Sequence, residues 1–535
     1  MSNAPCRHFG IMLDACRNSV PRPQTVEKYI DILQKIGYNT MMLYTEDTYE
    51  VDGEPYFGHL RGRYSKQELK RMDAYAKAHG VELIPCIQTL AHFDACMHWN
   101  RFTDIRDCDN ILMAGDERVY ALIDRLFTTL EECFTSRIAN VGMDEAHFMG
   151  LGNYLNKYGY QDRMEILTRH LFRVSEIAKK HGFSLCMWGD MFFRLASGGH
   201  YEGKTVHVDK SVREKIPDNV KLIYWNYWLT DEAVYDAQIR EHQALTPDIW
   251  FAGGVSSWYG FAPHNRDAQI VTKAAISSCR RNGVQDILLT MWGDDGNECN
   301  PFAHLPTLYA AAEWMRGNDD EQSIKAGFEK TFGIAFDDLM LADLPGTPNA
   351  DGTLVNAEKY LLYADPFMGM FDATLRGDED KRYAACADKL SGFTDHPTFG
   401  YLFRTLETLC RALSYKADLG IRTRAAYLAK DKDTLRALLP VYDDAIAAIR
   451  TFYVAFEKQW MTNSKPQGFE VQDARLGGLM QRLAHCKQRL ERYIAGELTA
   501  IEELEEAVLD PLCREKSDSY VVYNEWGKSF TAAIV

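Results

Sequence analysis

Between His8 and about Trp314 the chain alternates short apolar runs with longer amphipathic stretches. The runs are His8–Leu13, Tyr38–Tyr44, Val81–Ile87, Ile138–Met143, Phe183–Trp188, Val220–Trp225, Ile249–Val255 and Ile287–Trp292. Near-continuous apolar runs of this length predict strands covered on both faces, as in a parallel sheet. Between most of them, segments such as Thr25–Ile36, Lys66–His79, Glu117–Phe134, Glu165–His181 and Ala268–Asn282 carry apolar residues at helical spacing. Gly37, Gly80, Gly182 and Gly283 stand where helices should stop. Eight strand-then-helix units in about 310 residues predict an α/β fold, a (β/α)8 TIM barrel. An open doubly wound sheet is the alternative, but no Gly-x-Gly-x-x-Gly follows the first run.

Beyond Arg316 the strand-like runs disappear. Gln322–Phe332, Thr398–Leu428, Lys432–Trp460, Leu476–Gly496 and Ile501–Cys513 all carry the helical period, with Asp343–Pro348 and Ser464–Gly468 as turns between them. The pattern therefore predicts a barrel domain over 1–316 and an all-α C-terminal domain over 317–535. The segment Gly468–Arg475 interrupts two helical patterns with mixed charged and apolar residues. Exposing Phe469 and Val471 on a solvent loop would bring no benefit, so this segment is expected to be packed. Its partner is either the barrel of its own chain or of a second chain, or its own helical domain.

Composition narrows the partners. Hydrophobic residues make up 46% and charged residues 25%, as in a soluble globular protein. A net charge of −16 argues against nucleic acid or an anionic membrane as partner. No apolar run approaches a transmembrane span, and no signal-peptide pattern opens the sequence. The 13 cysteines are scattered without a Cys-x-x-Cys pair, and Cys86 and Cys186 lie inside apolar runs. That usage predicts a cytoplasmic protein with neither a disulfide framework nor a zinc site.

In a TIM barrel, chemistry collects at the C-terminal ends of the strands. Those positions carry Asp14 and Arg17, then Glu46 and Asp47, His92, Asp144-Glu145, Trp188 and Asp190, Trp225-Asn226-Tyr227-Trp228, Ser257-Trp258-Tyr259, and Trp292-Gly293-Asp294-Asp295. Adjacent acids that share a pocket raise each other's pKa, which can hold one protonated as a general acid. An isolated Asp-Glu pair more often caps a helix. Here five of the ten tryptophans stand at equivalent positions on four strands. An aromatic wall offers flat apolar faces to a sugar ring while acids and an arginine bind its hydroxyls. An uncharged carbohydrate suits this pocket. Gly253-Gly254 could cradle a phosphate, but aromatics and acids surround it instead of Lys and Arg. A metal hydrolase would need more than the single well-placed His92. No metal and no cofactor are expected.

These strand ends resemble those of the family-20 glycoside hydrolases, the β-N-acetylhexosaminidases, in the bacterial branch with a helical C-terminal domain. Val141-Gly142-Met143-Asp144-Glu145 is similar to the family's Gly-Gly-Asp-Glu signature, with Met143 in place of the second Gly. The resemblance implies that Glu145 is the general acid/base and that Asp144 grips the acetamido N–H. Arg17 would hold the terminal sugar's hydroxyls. Glu46 stands where the family has a supporting Asp, and His92 where it has that acid's partner. Trp188, Trp225 and Trp292 match the tryptophans that wall the acetamido pocket. Ser257-Trp258-Tyr259 resembles the motif whose Tyr bonds the acetamido oxygen, with Tyr227 as a nearby rival. Asp294 resembles a shortened form of the acid that binds the distal hydroxyls, and Phe261 stands where many members have a sugar-binding Asp or Asn.

The activity implied is exo-hydrolysis of terminal β-GlcNAc, with β-GalNAc left open, by a homodimer. The acetamido oxygen of the substrate would attack C1 and form an oxazolinium ion. A two-carboxylate retaining glycosidase is the rival, with Asp190 or Asp294 as nucleophile. A glycan-binding barrel without catalysis is the other.

Overall fold

The computed structural model describes residues 6–203, 205–346, 356–513 and 521–533. The eight runs form β1 (His8–Asp14), β2 (Thr40–Tyr44), β3 (Glu82–Cys86), β4 (Ile138–Asn140), β5 (Ser184–Trp188), β6 (Val220–Trp225), β7 (Trp250–Gly254) and β8 (Asp286–Met291). They pair in parallel and in order, and β1 pairs with β8 to close the barrel. In register, Met12 lies opposite Met42 and Leu13 opposite Met291. Nearly every strand residue is buried, as expected of strands with the barrel core on one face and helices on the other. Gly10 is needed where β1 meets β2, because a Cβ there would lie 2.1 Å from the Thr40 carbonyl oxygen.

The helices between strands follow their signals. Lys66–Ala78 opens with a capping box in which Ser65 and Glu68 bond each other's backbone N–H. Pro23 begins the helix Pro23–Ile36, and Gly37 closes it in the left-handed region. β4 is shorter than its apolar run. Gly142 (φ 69°), Met143 (φ 70°) and Glu145 (φ 51°) take left-handed backbone and turn the chain out of the ladder after Asn140.

The chain divides into two compact units. The first comprises Met1–Val255, Ala268–Trp292 and Thr307–Ile324; the second comprises Ser256–Asp267, Gly293–Pro306 and Lys325–Val535. The periodicity draws a single boundary at Arg316. Packing draws it at Ile324 and adds the loops that follow β7 and β8 to the helical unit. No helix of the described residues is long and apolar enough to cross a membrane.

In the second unit, the stretch 398–428 is two helices, Gly400–Lys416 and Leu419–Leu428. The break brings Gly420 against the backbone of Pro366 and lets the buried Lys416 ammonium donate to the carbonyls of Leu361 and Ala364. The pattern over Ile501–Cys513 gives only the single turn Glu502–Glu505. There the Arg424 guanidinium takes the carbonyls of Glu503, Leu504 and Glu506, which a continuing helix would have used internally. Phe469–Ala495 is one helix, so the segment at Gly468–Arg475 forms its first turns instead of a loop. Phe469 packs on Tyr453, Phe456 and Trp460 of the helix Lys432–Asn463. Of the turn expected at Asp343–Pro348, Thr347 and Pro348 lie outside the described residues.

At the N-terminal end of the barrel, His8 is hydrogen-bonded to Asp286 (2.8 Å) and Glu82 (3.2 Å). Burial opposes its charge, but the two carboxylates outweigh it and raise the imidazole from 6.5 to about 9. A pKa raised on folding stabilises the fold fully below the unfolded value and loses that contribution as pH climbs through the folded one. Stability should therefore fall between about pH 6.5 and 9. In His8→Gln that slope should shrink, which urea unfolding across this range measures.

Candidate active site

The turn after β4 is built around Gln88, just beyond β3. Its Oε1 accepts the Met143 N–H (3.1 Å), and its Nε2 donates to Asp144 Oδ1 (2.9 Å) and to the Tyr44 hydroxyl (3.1 Å). Glycine suits position 142, where φ is left-handed and a Cβ would displace the Gln88 amide, its Oε1 lying 1.9 Å away. Asn140 Oδ1 accepts the Gly142 N–H (3.0 Å) and steadies the turn from the strand side.

Asp144 is 7% exposed. His92 Nε2 lies 3.2 Å from its Oδ2 and 3.8 Å from Glu145 Oε2. Burial alone would raise the Asp144 pKa, but the His92 charge 3.2 Å away and the hydrogen bond from Gln88 bring it below the ordinary carboxylate range. Burial also opposes charge on His92, and Asp144 overcomes it, raising the imidazole to about 9. Glu145 has no such donor set. Partial burial and then the Asp144 charge push its pKa up. Two neighbouring carboxyls are thus driven in opposite directions, one toward the anion and one toward the acid.

Glu145 is held by its backbone. Its N–H donates to Asp190 Oδ2 (3.2 Å), which also accepts from Arg194 Nε (3.1 Å). Asp190 is fully buried, and burial followed by the Asp144 charge raises it to about 7. Arg194 in turn lies over the Trp225 ring, its guanidinium carbon 5.8 Å from the centroid. Trp225 stacks on Tyr227 (5.3 Å), and the Tyr227 hydroxyl accepts the Trp292 indole N–H (2.9 Å). Trp292 lies 5.7 Å from Trp188 and beneath the Arg17 guanidinium (4.6 Å). Arg17 is tied to Asp14 (3.2 Å) and stands 4.0 Å from Glu46, which accepts the Tyr44 hydroxyl (2.8 Å). Nine of the residues singled out from the sequence are therefore linked within the first unit: Arg17, Glu46, His92, Asp144, Glu145, Trp188, Trp225, Tyr227 and Trp292. The carboxylate that His92 pairs with is Asp144, where the resemblance put it beside the residue at Glu46. Trp258 and Tyr259, both buried, and the half-buried Asp294 belong to the loops of the second unit.

Family models divide the chain in the same sense. Residues 7–246 match the glycosyl hydrolase family 20 catalytic domain, and residues 336–522 match the Glycoside Hydrolase 20C C-terminal domain. The chain belongs to glycoside hydrolase family 20. It is an enzyme of the β-N-acetylhexosaminidase family. Hexosaminidase D of Homo sapiens is 19% identical over 342 residues, 60% of this chain and 68% of its own length. Hexosaminidase D of Bos taurus is 20% identical over 346 residues, 60% of this chain and 95% of its own. The solved exo β-N-acetylglucosaminidase of Vibrio harveyi overlays at TM-score 0.46 and 15% identity, with 63% of this chain and 58% of that chain covered.

Three acidic or imidazole side chains of this family-20 enzyme, His92, Asp144 and Glu145, have atoms within 4.8 Å of one another, close enough to share a cation. The Asp144 charge raises the His92 imidazole to about 9, which favours an ion pair between the two beside Glu145. Sequence reading missed Gln88. Its only signal is a polar residue directly after an apolar run, at a barrel strand end. Asp190 was visible there, but as a rival nucleophile. One oxygen is committed to Glu145 and Arg194, and the side chain is fully buried, which suits a support.

Gln88→Leu removes a donor from an anion and leaves the Met143 N–H unmatched. The pKa of Asp144 should rise, moving the acid limb of the kcat/KM profile to higher pH. A pH profile on an aryl N-acetylglucosaminide reads this directly, and an unmoved acid limb would detach Gln88 from Asp144's ionisation.

Proposed function

We propose that this family-20 enzyme is an exo-acting β-N-acetylhexosaminidase that removes terminal non-reducing β-GlcNAc, with β-GalNAc as the alternative sugar. It acts with retention through substrate assistance. The observation that carries the reading is the adjacent pair Asp144 and Glu145 on one turn, with the pKa of the first pushed down and that of the second pushed up. In the proposed reaction the acetamido oxygen of the substrate attacks C1. Asp144 accepts the acetamido N–H and stabilises the positive charge that develops on its nitrogen. Tyr259 holds the attacking oxygen, an intramolecular geometry of high effective molarity. Glu145 protonates the leaving oxygen as the glycosidic bond breaks, then takes a proton from the water that opens the oxazolinium ion. Arg17 and Asp294 bind sugar hydroxyls, Glu46 and His92 support the site, and Trp188, Trp225, Trp258 and Trp292 supply apolar walls. The names of the relatives support the sugar class. The committed, fully buried Asp190 disfavours a two-carboxylate alternative that uses it as nucleophile. The reading includes a cytoplasmic homodimer. The thirteen cysteines, all free, support the compartment, and light scattering of the full chain tests the assembly.

Glu145→Gln keeps shape but cannot donate a proton. Its kcat should fall steeply on substrates with poor leaving groups and much less on activated aryl glycosides. Asp144→Asn should lower kcat on both. A thiazoline mimic of the oxazoline should compete with substrate far more tightly than free GlcNAc. Trapping of a protein carboxylate by a 2-fluoro sugar would instead establish a covalent glycosyl-enzyme and end the assisted mechanism.

A further inference from the structure

Within the second unit, one short segment reaches both of the loops that follow β7 and β8. Asn356 precedes the helix Ala357–Tyr363, and Glu358 and Lys359 lie in its first turn. Asn356 is fully buried, and its amide donates to the carbonyl of Tyr259 (2.9 Å). Glu358, also fully buried, accepts the Ala262 N–H (3.2 Å) and lies so close to Gly260 that a Cβ there would meet its Oε1 at 2.6 Å. Lys359 is 1% exposed. It turns to the other loop, pairing with Glu298 (2.7 Å) and Asp295 (3.3 Å) and donating to the Asp295 carbonyl. Asp295 has a left-handed φ of 52°, so its neighbours must hold it there.

Two other elements complete the grip. Arg475, in the segment expected from the sequence to be packed, pairs with Asp295 (3.2 Å) and Glu298 (2.9 Å). The C-terminal strand of chain exchanges backbone bonds with the Asn356 side chain at Tyr523 (N–H to Oδ1 2.8 Å, Nδ2 to carbonyl 2.9 Å), and its Trp526 N–H reaches Asp295 (3.1 Å). Ion pairs this well buried cost desolvation, and their return is a fixed geometry rather than raw stability. What they fix is the backbone of Tyr259 and the residue next to Asp294.

We infer that Asn356 and Lys359 are positioning residues for the sugar-processing chemistry, Asn356 acting through Tyr259 and Lys359 through the Asp295 backbone on Asp294. This rests on the roles given to Tyr259 and Asp294 in the proposed function. Neither positioning residue touches substrate. Asn356 aims the hydroxyl that holds the acetamido oxygen, so its loss falls on kcat. Lys359 aims the acid that binds hydroxyls, so its loss falls on KM.

Double-mutant cycles on the full chain test this with an aryl N-acetylglucosaminide. Misplacement by about an ångström predicts a kcat loss of roughly 10- to 100-fold in Asn356→Ala. In a Tyr259→Phe background the same change should cost less than about two-fold, because the interaction it serves is already gone. Lys359→Met should raise KM in wild type and have little effect in an Asp294→Ala background, while Lys359→Arg should restore most of the loss. Because Lys359 is buried against Glu298, Asp295→Asn is made in parallel, loosening the same loop from its own side. Asn356→Ser serves likewise beside Asn356→Ala. Hydrogen exchange should quicken over 256–267 in the Asn356 variants and over 293–306 in the Lys359 and Asp295 variants. Losses that add fully in the double mutants would mean a general structural effect and overturn the inference. Wild-type kinetics in the loosened variants would also overturn it. If Tyr259→Phe and Asp294→Ala are themselves silent, the roles given to them in the proposed function fail first and the inference falls with them.

Discussion

A carboxylate at the bottom of a buried turn is affordable only with donors arranged around it, and Asp144 has them. Gln88 gives one hydrogen bond, and His92 provides a positive charge 3.2 Å away. The Asp144 charge in turn raises the His92 pKa against burial, so each group favours the charged form of the other. Glu145 feels the consequence. Its own surroundings are poorer in donors, and the anion next door disfavours a second one. The acid and the anion are thus assigned by one network, and loss of either His92 or Gln88 would disturb both carboxyls together.

The rest of the first unit serves this turn from the outside. Asp190 fixes the backbone N–H of Glu145, Arg194 fixes Asp190, and Arg194 lies on Trp225. Aromatic contacts then run through Tyr227 and Trp292 to Arg17. The tryptophans therefore have a mechanical use besides offering apolar faces, because Trp225 carries Arg194 and Trp292 carries Arg17. In the second unit, charge performs the analogous task, with Lys359 and Arg475 holding the loop after β8.

Much of this was legible in the sequence because barrel strands are apolar nearly throughout, so their ends are marked by the first polar residues. All eight strands, the helix stops at Gly37, Gly80, Gly182 and Gly283, and the Asp144-Glu145 pair follow from that contrast. The end of β4 was misplaced by three residues because Val141 and Met143 are apolar in a turn as well as in a strand. Left-handed backbone at a methionine leaves no compositional trace. Gln88, Asn356 and Lys359 were illegible for another reason. Each acts over a long sequence separation on a backbone group, and backbone groups are the same at every position. Over Ile501–Cys513 the helical period gives only one turn: Arg424, some eighty positions away, occupies the Leu504 and Glu506 carbonyls, and Pro511 interrupts the rest.

Met143 sets two physical terms against each other. Its φ of 70° is left-handed, a conformation that glycine adopts without strain. A methionine at that angle costs about 1–2 kcal/mol in backbone strain. Its side chain is also fully buried, and emptying a buried methionine's volume costs about 2–5 kcal/mol. Reverting to glycine would relieve the smaller term and incur the larger. Met143 is therefore held by its packing against its own backbone preference, and glycine at this position would trade a relaxed turn for an empty space beneath it. Side chains that fill the same space are the replacements this turn would tolerate best, because they keep the packing beneath Asp144 and Glu145.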